Sequence, residues 1–462
     1  MSGNDRHTID GAIIIRDEHL AKIETDQLSE LERNGNGNRN VWRTVLGIIA
    51  ACNDPNDRAG YEEAYEDFAY RLHPHTEGIL LKVQNAPATN FRDGELLDQR
   101  RSFIASALRC LLLQMQNQDL LHSPEGRTKL AHDLLLQAGA LTPMEAITRG
   151  ERIELARVFV WGGHDLEPHD YDYMTDVAEE LGHQGIVTVT GAGPGTMRAG
   201  LKGNKAGLAE RLIRNAEHFG YSCAEIIAAA EPPNKYVDNL VMFPGTPARI
   251  EGFLRSAQGG VIGPGRMGTL EELMFLLGVK MHERNQGIAL PAIITAPKES
   301  EWFLDAFEEF MDGTAGNDAL RHYETVRGDR GKVATDMGAS LGYVRQQQTE
   351  RGKRLLWSDE DMLHIPPAFQ EWFETNHETT EQLPLHRDQP VSDLLCALCR
   401  MFQSIVRGTI VPGYREQVEN GRKPYRFRAE PAIRKAILDL MERMDGIYAQ
   451  GPRCFVIEES RS

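Results

Sequence analysis

Three things are scarce in this 462-residue chain, and each scarcity excludes a class of protein. Cysteine is scarce. The six residues Cys52, Cys110, Cys223, Cys396, Cys399 and Cys454 are too few, over this length, for a disulfide framework. Long apolar runs are missing. No stretch reaches the roughly 18 residues that suggest a membrane span, and Met1 to Asp17 carries acids in place of a targeting segment's apolar core. Positive charge is short as well: Lys and Arg number 51 against 68 Asp and Glu, a net charge of −17. That balance argues against a general binder of nucleic acid or membrane surfaces and for a soluble, cytoplasmic protein. A small anionic ligand stays open, because local arginines and backbone amides override a global field.

What is present is ordinary in bulk and specific in detail. The hydrophobic fraction of 41% and charged fraction of 26% suit a globular protein, and the length implies two or three domains with a large core. No internal repeat is visible. Residues 1–150 read as a mainly helical accessory or regulatory domain. Its helices are expected at Val41 to Ile49, Leu96 to Met115 and Lys129 to Ala138, with aromatics near helical period from Tyr61 to Tyr70. Glu32 to Asn40 reads as a surface loop, and Ile79 to Val83 as a short strand.

Residues 151–330 change character. Short β-branched runs at Val158–Trp161, Ile186–Thr190, Ile226-Ile227, Leu240–Phe243, Val261-Ile262 and Pro291–Thr295 alternate with helical patterns. This is the pattern of a Rossmann-like, doubly wound parallel sheet in an α/β fold, whose sites lie at the strand-to-helix turns. Residues 331–462 read as a mainly helical C-terminal accessory domain, with helices at Val391 to Val406 and Ala432 to Met444. Cys396 and Cys399 have redox or metal spacing. No second ligand pair follows, so a packed core helix is the preferred reading. The basic cluster Arg422 to Arg428 is read as a solvated loop in preference to an anion site.

The turns carry the glycines. Gly162-Gly163-His164 follows the first of these strands, Gly191-Ala192-Gly193-Pro194-Gly195-Thr196-Met197 the second, and Gly263-Pro264-Gly265-Arg266-Met267-Gly268-Thr269 a later one. A glycine turn at a helix start offers backbone N–H groups and the positive end of the macrodipole to a phosphate. The last turn is followed by Glu271 and Glu272, expected inside the first helical turn. A plain phosphate cradle has no use for these acids, whereas a site that grips a sugar or activates water does. The competing reading is that both acids only complement the helix N-terminus. A GxGxxG dinucleotide turn followed by a distant acid is absent, which weakens a dehydrogenase reading.

The last turn resembles the PGGxGTxxE signature of the LOG-like phosphoribohydrolases, a family mislabelled as lysine decarboxylases. Trp161-Gly-Gly-His164, Thr190 to Gly195, Ala230 to Asn234, Pro297 to Ser300, Arg321 to Tyr323, Asn85-x-Pro87 with Asp93-Gly94, and Asp388-Gln-Pro390 resemble the pyrimidine/purine nucleotide 5′-monophosphate nucleosidase branch. The resemblance implies hydrolysis of a nucleoside monophosphate to free base and ribose 5-phosphate. It further implies a homo-oligomer (dimer or tetramer), guanosine tetra- or pentaphosphate as effector, and neither a metal nor a pyridoxal cofactor. Lys202, the lysine nearest a glycine turn, reads more simply as a helix residue than as a Schiff-base group.

Carried over residue by residue, the resemblance makes Glu272 the catalytic carboxylate, Glu271 a second acid and Arg249 the active-site arginine. Gly193, Gly195, Thr196, Met197, Gly265, Arg266, Gly268 and Thr269 then line the substrate pocket. His164, Glu231 and Asn234 are further ligand candidates, with loop stabilisation as the alternative for His164. Arg255 is divided between a ligand role and the helix surface. Two positions depart from the family: Arg266 stands where a glycine is usual, and Arg198 where a glutamate is usual. Both add positive charge, implying an altered substrate preference, a more anionic ligand, or a binding protein without catalysis. An active hydrolase is preferred, with a non-catalytic nucleotide sensor on the same fold as the alternative.

Overall fold

The computed structural model describes residues 7–33, 35–51, 64–228, 231–350, 363–371, 373–410, 414–444 and 454–460. Among these, nine strands form one sheet: β6 (Met144–Thr148), β7 (Glu151–Trp161), β8 (Ile186–Thr190), β9 (Ile213–Arg214), β10 (Phe219–Cys223), β11 (Asn239–Phe243), β12 (Gly259–Ile262), β13 (Ala292–Ala296) and β14 (Glu324–Arg327). Its main path runs β11-β10-β8-β7-β12-β13-β14. The pairs β10/β11, β10/β8, β12/β7, β12/β13 and β13/β14 are parallel, while β6 runs antiparallel to both β7 and β9. Parallel neighbours need crossovers, and the helices between the strands supply them. This is the expected Rossmann-like α/β core.

The chain divides by contacts into two compact units. The first comprises residues 1–140, 190–194 and 217–252, the second residues 141–189, 195–216 and 253–462. In the first unit, β1 (Thr8–Arg16), β2 (Ala69–His75) and β3 (Gly78–Pro87) form an antiparallel sheet in the order β1-β3-β2, and the two-residue strands β4 (Phe91–Arg92) and β5 (Glu95–Leu96) pair antiparallel. The sequence reading caught only β3, at Ile79 to Val83. In β1 the alternate residues Ile13 and Ile15 are buried, the period-2 pattern of a strand with one covered face. The aromatic pattern expected to be helical ends instead in β2, where Tyr70 stacks on Phe68 with ring centroids 6.4 Å apart. Tyr61 lies outside the described residues.

The loop expected at Glu32 to Asn40 is not one. Helix Thr25–Arg33 ends there and helix Gly35–Ala50 begins there. Gly35 to Asn40 are poor helix formers, but the same helix buries Val41, Val45, Leu46, Ile48 and Ile49. Tertiary burial outweighs local propensity. Helix Asp98–Gln116 agrees with the sequence, and Pro124–Gln137 spans the second expected helix. The former ties down the segment after Ala230: Arg100, buried, donates to the Pro233 carbonyl at 2.8 Å, and Gln99 Nε2 donates to Val237 at 2.7 Å. Ile226-Ile227, read as a strand, lies in the short helix Ala224–Ala228. The strand of that stretch is β10, just before it. A short apolar run does not by itself distinguish the two states.

In the second unit the core is built from Val158 and Val160 of β7, Val261 of β12, Ile293 of β13, Val326 of β14 and the apolar faces of helices Pro168–His183 and Arg330–Glu350. Helix Thr196–Glu210 packs on Pro168–His183 through glycines: a Cβ on Gly203 would lie 1.9 Å from the Thr175 carbonyl oxygen, and one on Gly207 2.1 Å from that of Glu179. Helix Val391–Ile410 agrees with expectation, and its thiols are buried. Burial lifts Cys396 to about 11 and Cys399 well above its ordinary value, so this is core packing. Cys52 lies outside the described residues. The basic cluster is partly the strand β15 (Tyr425–Ala429), paired with β16 (Phe455–Glu459), rather than a loop. Tyr425 and Phe427 point inward. Arg426 pairs with Glu458 at 3.6 Å, Arg428 with Glu381, and the Arg422 guanidinium lies 4.9 Å from the Tyr414 ring centroid.

Candidate active site

In the second unit two glycine turns and the start of helix Thr196–Glu210 meet backbone to backbone. The Gly163 amide donates to the Pro264 carbonyl at 2.9 Å, and the Thr196 amide donates to the Gly163 carbonyl at 2.9 Å. The turns after β7 and β12 and the start of helix Thr196–Glu210 are thus locked together. Space permits nothing larger. A Cβ on Gly195, whose φ is +61°, would lie 2.3 Å from the Gly163 oxygen, and one on Gly265 2.0 Å from Thr269 Oγ1. Thr196 is fully buried under Gly162, and Met197 beside it is buried.

Helix Met267–Met281 starts from this knot. Arg266 is its N-cap residue, and the Arg266 carbonyl accepts from the Thr269 and Leu270 amides at 2.9 and 3.1 Å. The Met267 and Gly268 amides come before the helix ladder and have no backbone acceptor among the described residues, as is usual in a first turn. A Cβ on Gly268 would meet nothing within 4 Å. Unspent donors beside open space at a helix N-terminus are what an anion needs.

The carboxylate pair lies deeper than the sequence reading placed it. The helix begins at Met267 because Pro264 and Gly265 stay in the turn, and its first turn contains no acid. Glu271 and Glu272 belong to the second turn and are only 7% and 9% exposed. The reading that they merely complement the helix end loses its ground, since that effect fades beyond the first turn. The Glu271 carbonyl accepts from Cys399 Sγ at 3.5 Å, so the core helix carrying the thiols supports the acidic segment. Thr269 is buried one turn before the acids, and His164 is half-buried on the β7 turn.

Sequence reasoning missed the partner of Arg266. Arg266 Nη2 lies 3.7 Å from Asp165 Oδ2, on the turn after β7. The two positions are 101 residues apart, and nothing local announces the pair. At the turn after β13, Ser300 Oγ lies 3.2 Å from His169 Nε2. Burial raises the pKa of the neighbouring Asp170, against the lowering pull of a hydrogen bond from Ser300 and of the His169 charge. The Pro297 to Ser300 motif thus acts on the start of helix Pro168–His183.

In the first unit, Asn234 holds the preceding loop. Its Nδ2 donates to the Ala192 and Gly193 carbonyls at 2.6 and 2.8 Å, and its Oδ1 accepts from the Tyr236 amide at 2.9 Å. Both side-chain donors are spent on the protein, which makes Asn234 a loop clamp and fixes Gly193. Glu231 is half-buried, its amide donating to the Ile226 carbonyl at 3.3 Å. Arg249 is buried in helix Thr246–Ser256. Arg255 is buried as well and donates to the Leu363 carbonyl at 2.7 Å, so it is not a helix-surface residue. Lys202 lies over the Tyr171 ring, 5.5 Å from its centroid, in helix Thr196–Glu210.

One group with metal-ligand chemistry occurs among the described residues: Glu179, His183 and Glu210, with ligand atoms within 4.8 Å of one another. Partial burial works to lower the His183 pKa. Hydrogen bonds to Glu210 at 2.9 Å and Glu180 at 3.3 Å outweigh it and raise the pKa. The group sits at the C-terminal ends of its two helices, opposite the ends that meet the glycine turns. No described helix is long and apolar enough to cross a membrane.

Comparison with known proteins adds to this geometry. A family described as "Pyrimidine/purine nucleotide 5'-monophosphate nucleosidases" matches residues 15–118, "Possible lysine decarboxylase" matches 207–331, and "Pyrimidine/purine nucleotide monophosphate nucleosidase, C-terminal" matches 341–447. The pyrimidine/purine nucleotide 5′-monophosphate nucleosidase of Escherichia coli K12 is 33% identical over 398 residues, covering 84% of this chain and 84% of that protein. The protein of the same name from Escherichia coli O157:H7 gives the same figures. Among solved structures, the molybdenum cofactor binding protein of Rippkaea orientalis matches 40% of this chain and 97% of its own, at 16% identity and a TM-score of 0.30.

Proposed function

This chain belongs to the pyrimidine/purine nucleotide 5′-monophosphate nucleosidase family, and from that premise we propose which of its residues carry the hydrolysis. It is an enzyme that cleaves the N-glycosidic bond of a nucleoside 5′-monophosphate, giving free base and ribose 5-phosphate. The observation that carries the residue assignment is the start of helix Met267–Met281: two unspent amides and an open glycine, followed one turn later by two buried carboxylates.

In this reading the 5′-phosphate is anchored by the Met267 and Gly268 amides and the positive helix end, with Thr269 and the locked turns of Gly163, Gly195 and Gly265 shaping the cradle. Thr196, Met197 and His164 of the second unit are assigned to substrate binding, and Gly193 and Glu231 of the first unit are assigned the same role. Water adds its hydroxyl to C1′ as the C1′–N bond breaks. The bonding electrons leave with the base, which takes up a proton. Glu272, ionised, supports the oxocarbenium-like ribose, then takes the one proton the water gives up and releases it to solvent, which matches the proton the base gains from solvent. Glu271 assists as the second acid. Arg249 supplies a planar, permanently charged fork suited to a phosphate or a leaving base. The same reading makes the protein a cytoplasmic homo-oligomer responsive to guanosine tetra- or pentaphosphate, supported by the family resemblance of the motifs.

The test is incubation with AMP, GMP, CMP, UMP and IMP, with and without the alarmone, followed by chromatography for free base. Release from at least one monophosphate is expected. Binding of all five without release from any would overturn the assignment.

A further inference from the structure

We propose that Asp165 and Arg266 form a competing charge pair that sets this enzyme's grip on the 5′-phosphate, Arg266 as phosphate ligand and Asp165 as its rival anion. The inference rests on the reading that the Met267 helix start takes the phosphate.

Arg266 is not spent on the fold. As N-cap residue it has φ −119° and ψ −157°, extended backbone that any residue adopts, so arginine enters without strain where the family's usual glycine stood. Its side chain makes no capping hydrogen bond. The side chain, on the residue that immediately precedes the Met267 and Gly268 amides, is 40% exposed. Its ion-pair partner Asp165 is 35% exposed, and the 3.7 Å separation is longer than a good hydrogen bond. A half-solvated pair at that distance contributes little stability and is readily exchanged.

Position makes the exchange meaningful. Asp165 sits two residues after Gly163, whose amide is bonded to Pro264, so the two loops that carry the charges are fixed to each other. A carboxylate there repels an arriving phosphate dianion unless it is neutralised. Arg266 offsets part of that charge while the cradle is empty. A phosphate offers the guanidinium a bidentate, more highly charged partner than the carboxylate does. The arginine therefore transfers to the phosphate, and Asp165 sets the cost of that transfer. The two added features, a lost glycine and a nearby acid, act as one adjustable device.

Opposite signs of effect on the two partners are the signature. With the best monophosphate substrate, Arg266→Gly is expected to raise KM about 10- to 100-fold, the loss of a charged hydrogen-bond partner, with kcat nearly unchanged. Arg266→Lys restores part of the loss. Asp165→Asn is expected to lower KM about 2- to 5-fold, the range of a weak exposed pair. In the Arg266→Gly background Asp165→Asn still lowers KM, because the carboxylate there faces the phosphate without the guanidinium. A merely structural pair would move KM the same way in both single variants, and that result overturns the proposal. Titration calorimetry with ribose 5-phosphate reads the pair without catalysis. A wild type that is inactive but shows this order of affinities removes the hydrolase reading and keeps the pair. An active wild type whose variants bind and turn over as it does removes the pair and keeps the hydrolase.

Discussion

The two ends of helix Met267–Met281 use the same kinds of residue in opposite ways. At the N-terminal end Gly268 faces open space, and two amides are left without backbone acceptors. At the C-terminal end Gly278 is filled: a Cβ there would lie 2.1 Å from the Phe369 ring, and the Gly278 carbonyl accepts from Ser392 Oγ at 2.9 Å. Glu272 is buried near the first end. Lys280 sends its ammonium into the protein at the second, where Nζ donates to the Leu290 carbonyl at 2.6 Å. One end holds its polar groups in reserve for a ligand, and the other spends them on its own chain. Glycine content and buried charge therefore do not mark a site. Unspent donors beside unfilled space do.

The comparison is broken most directly at Glu272. Glu272→Gln keeps the shape of the side chain and removes the charge, so kcat for base release is expected to fall by about 10²- to 10⁴-fold, the usual share of a catalytic acid or base. The melting temperature should stay close to that of the wild type. Glu271→Gln is expected to cost less, and equal losses would erase the distinction between the two acids. Next come the glycines. Gly278→Ala forces a methyl into Phe369 and is expected to destabilise by about 1–3 kcal/mol in denaturant unfolding, leaving KM alone. Gly268→Ala meets nothing, so stability should hold or rise by up to about 1 kcal/mol while KM increases. Matching effects from both would mean that the two ends do not differ.

Lys280 gives a smaller effect of opposite sign. Loss of water around the ammonium pushes its pKa down to about 7, below the ordinary lysine value. A depressed lysine costs the folded state stability at every pH under the unfolded pKa, and the cost grows as pH falls to about 7. Lys280→Met, after losing the Leu290 hydrogen bond, is expected to stabilise the protein by about 1–2 kcal/mol at pH 7. The gain should shrink toward pH 10. A destabilised variant would show that the ammonium is a needed part of the C-terminal end.

How much of this was legible in sequence follows the same division. The three glycine turns were readable because each follows a β-branched run and precedes a helical period. β10 was missed because Phe219-Gly-Tyr-Ser-Cys223 has no β-branched residue, while Ile226-Ile227 beside it has two. The acids were found but placed a turn too early, since a proline-glycine turn does not declare which residue caps the helix. Asp165, Cys399 and Leu290 were out of reach: each acts on the Met267 helix or its cap through the fold rather than through neighbouring sequence. Arg266 was visible as a departure, but its partner was not.

The smallest effect belongs to His364, whose ring lies tilted at 48° to that of His282, centroids 4.9 Å apart, just past the spent end of the helix. Burial first, then the charges of Arg284, His282 and Arg255, push its pKa down to about 4. The folded state therefore keeps this imidazole neutral where the unfolded chain, with a pKa near 6.5, already takes a proton. Between about pH 6.5 and 4 the unfolded state binds more protons, so His364's share of stability is whole above 6.5 and is lost as pH falls toward 4. Solvent around the ring discounts that share to under about 1 kcal/mol. His364→Gln leaves the backbone bonds to Asn285 at 2.6 and 2.9 Å in place. Thermal unfolding of both proteins from pH 7 to 4.5 should then show a shallower loss for the variant. Parallel curves would mean that water, not the protein, sets the protonation of this ring, and the C-terminal end would be less closed than its hydrogen bonds make it.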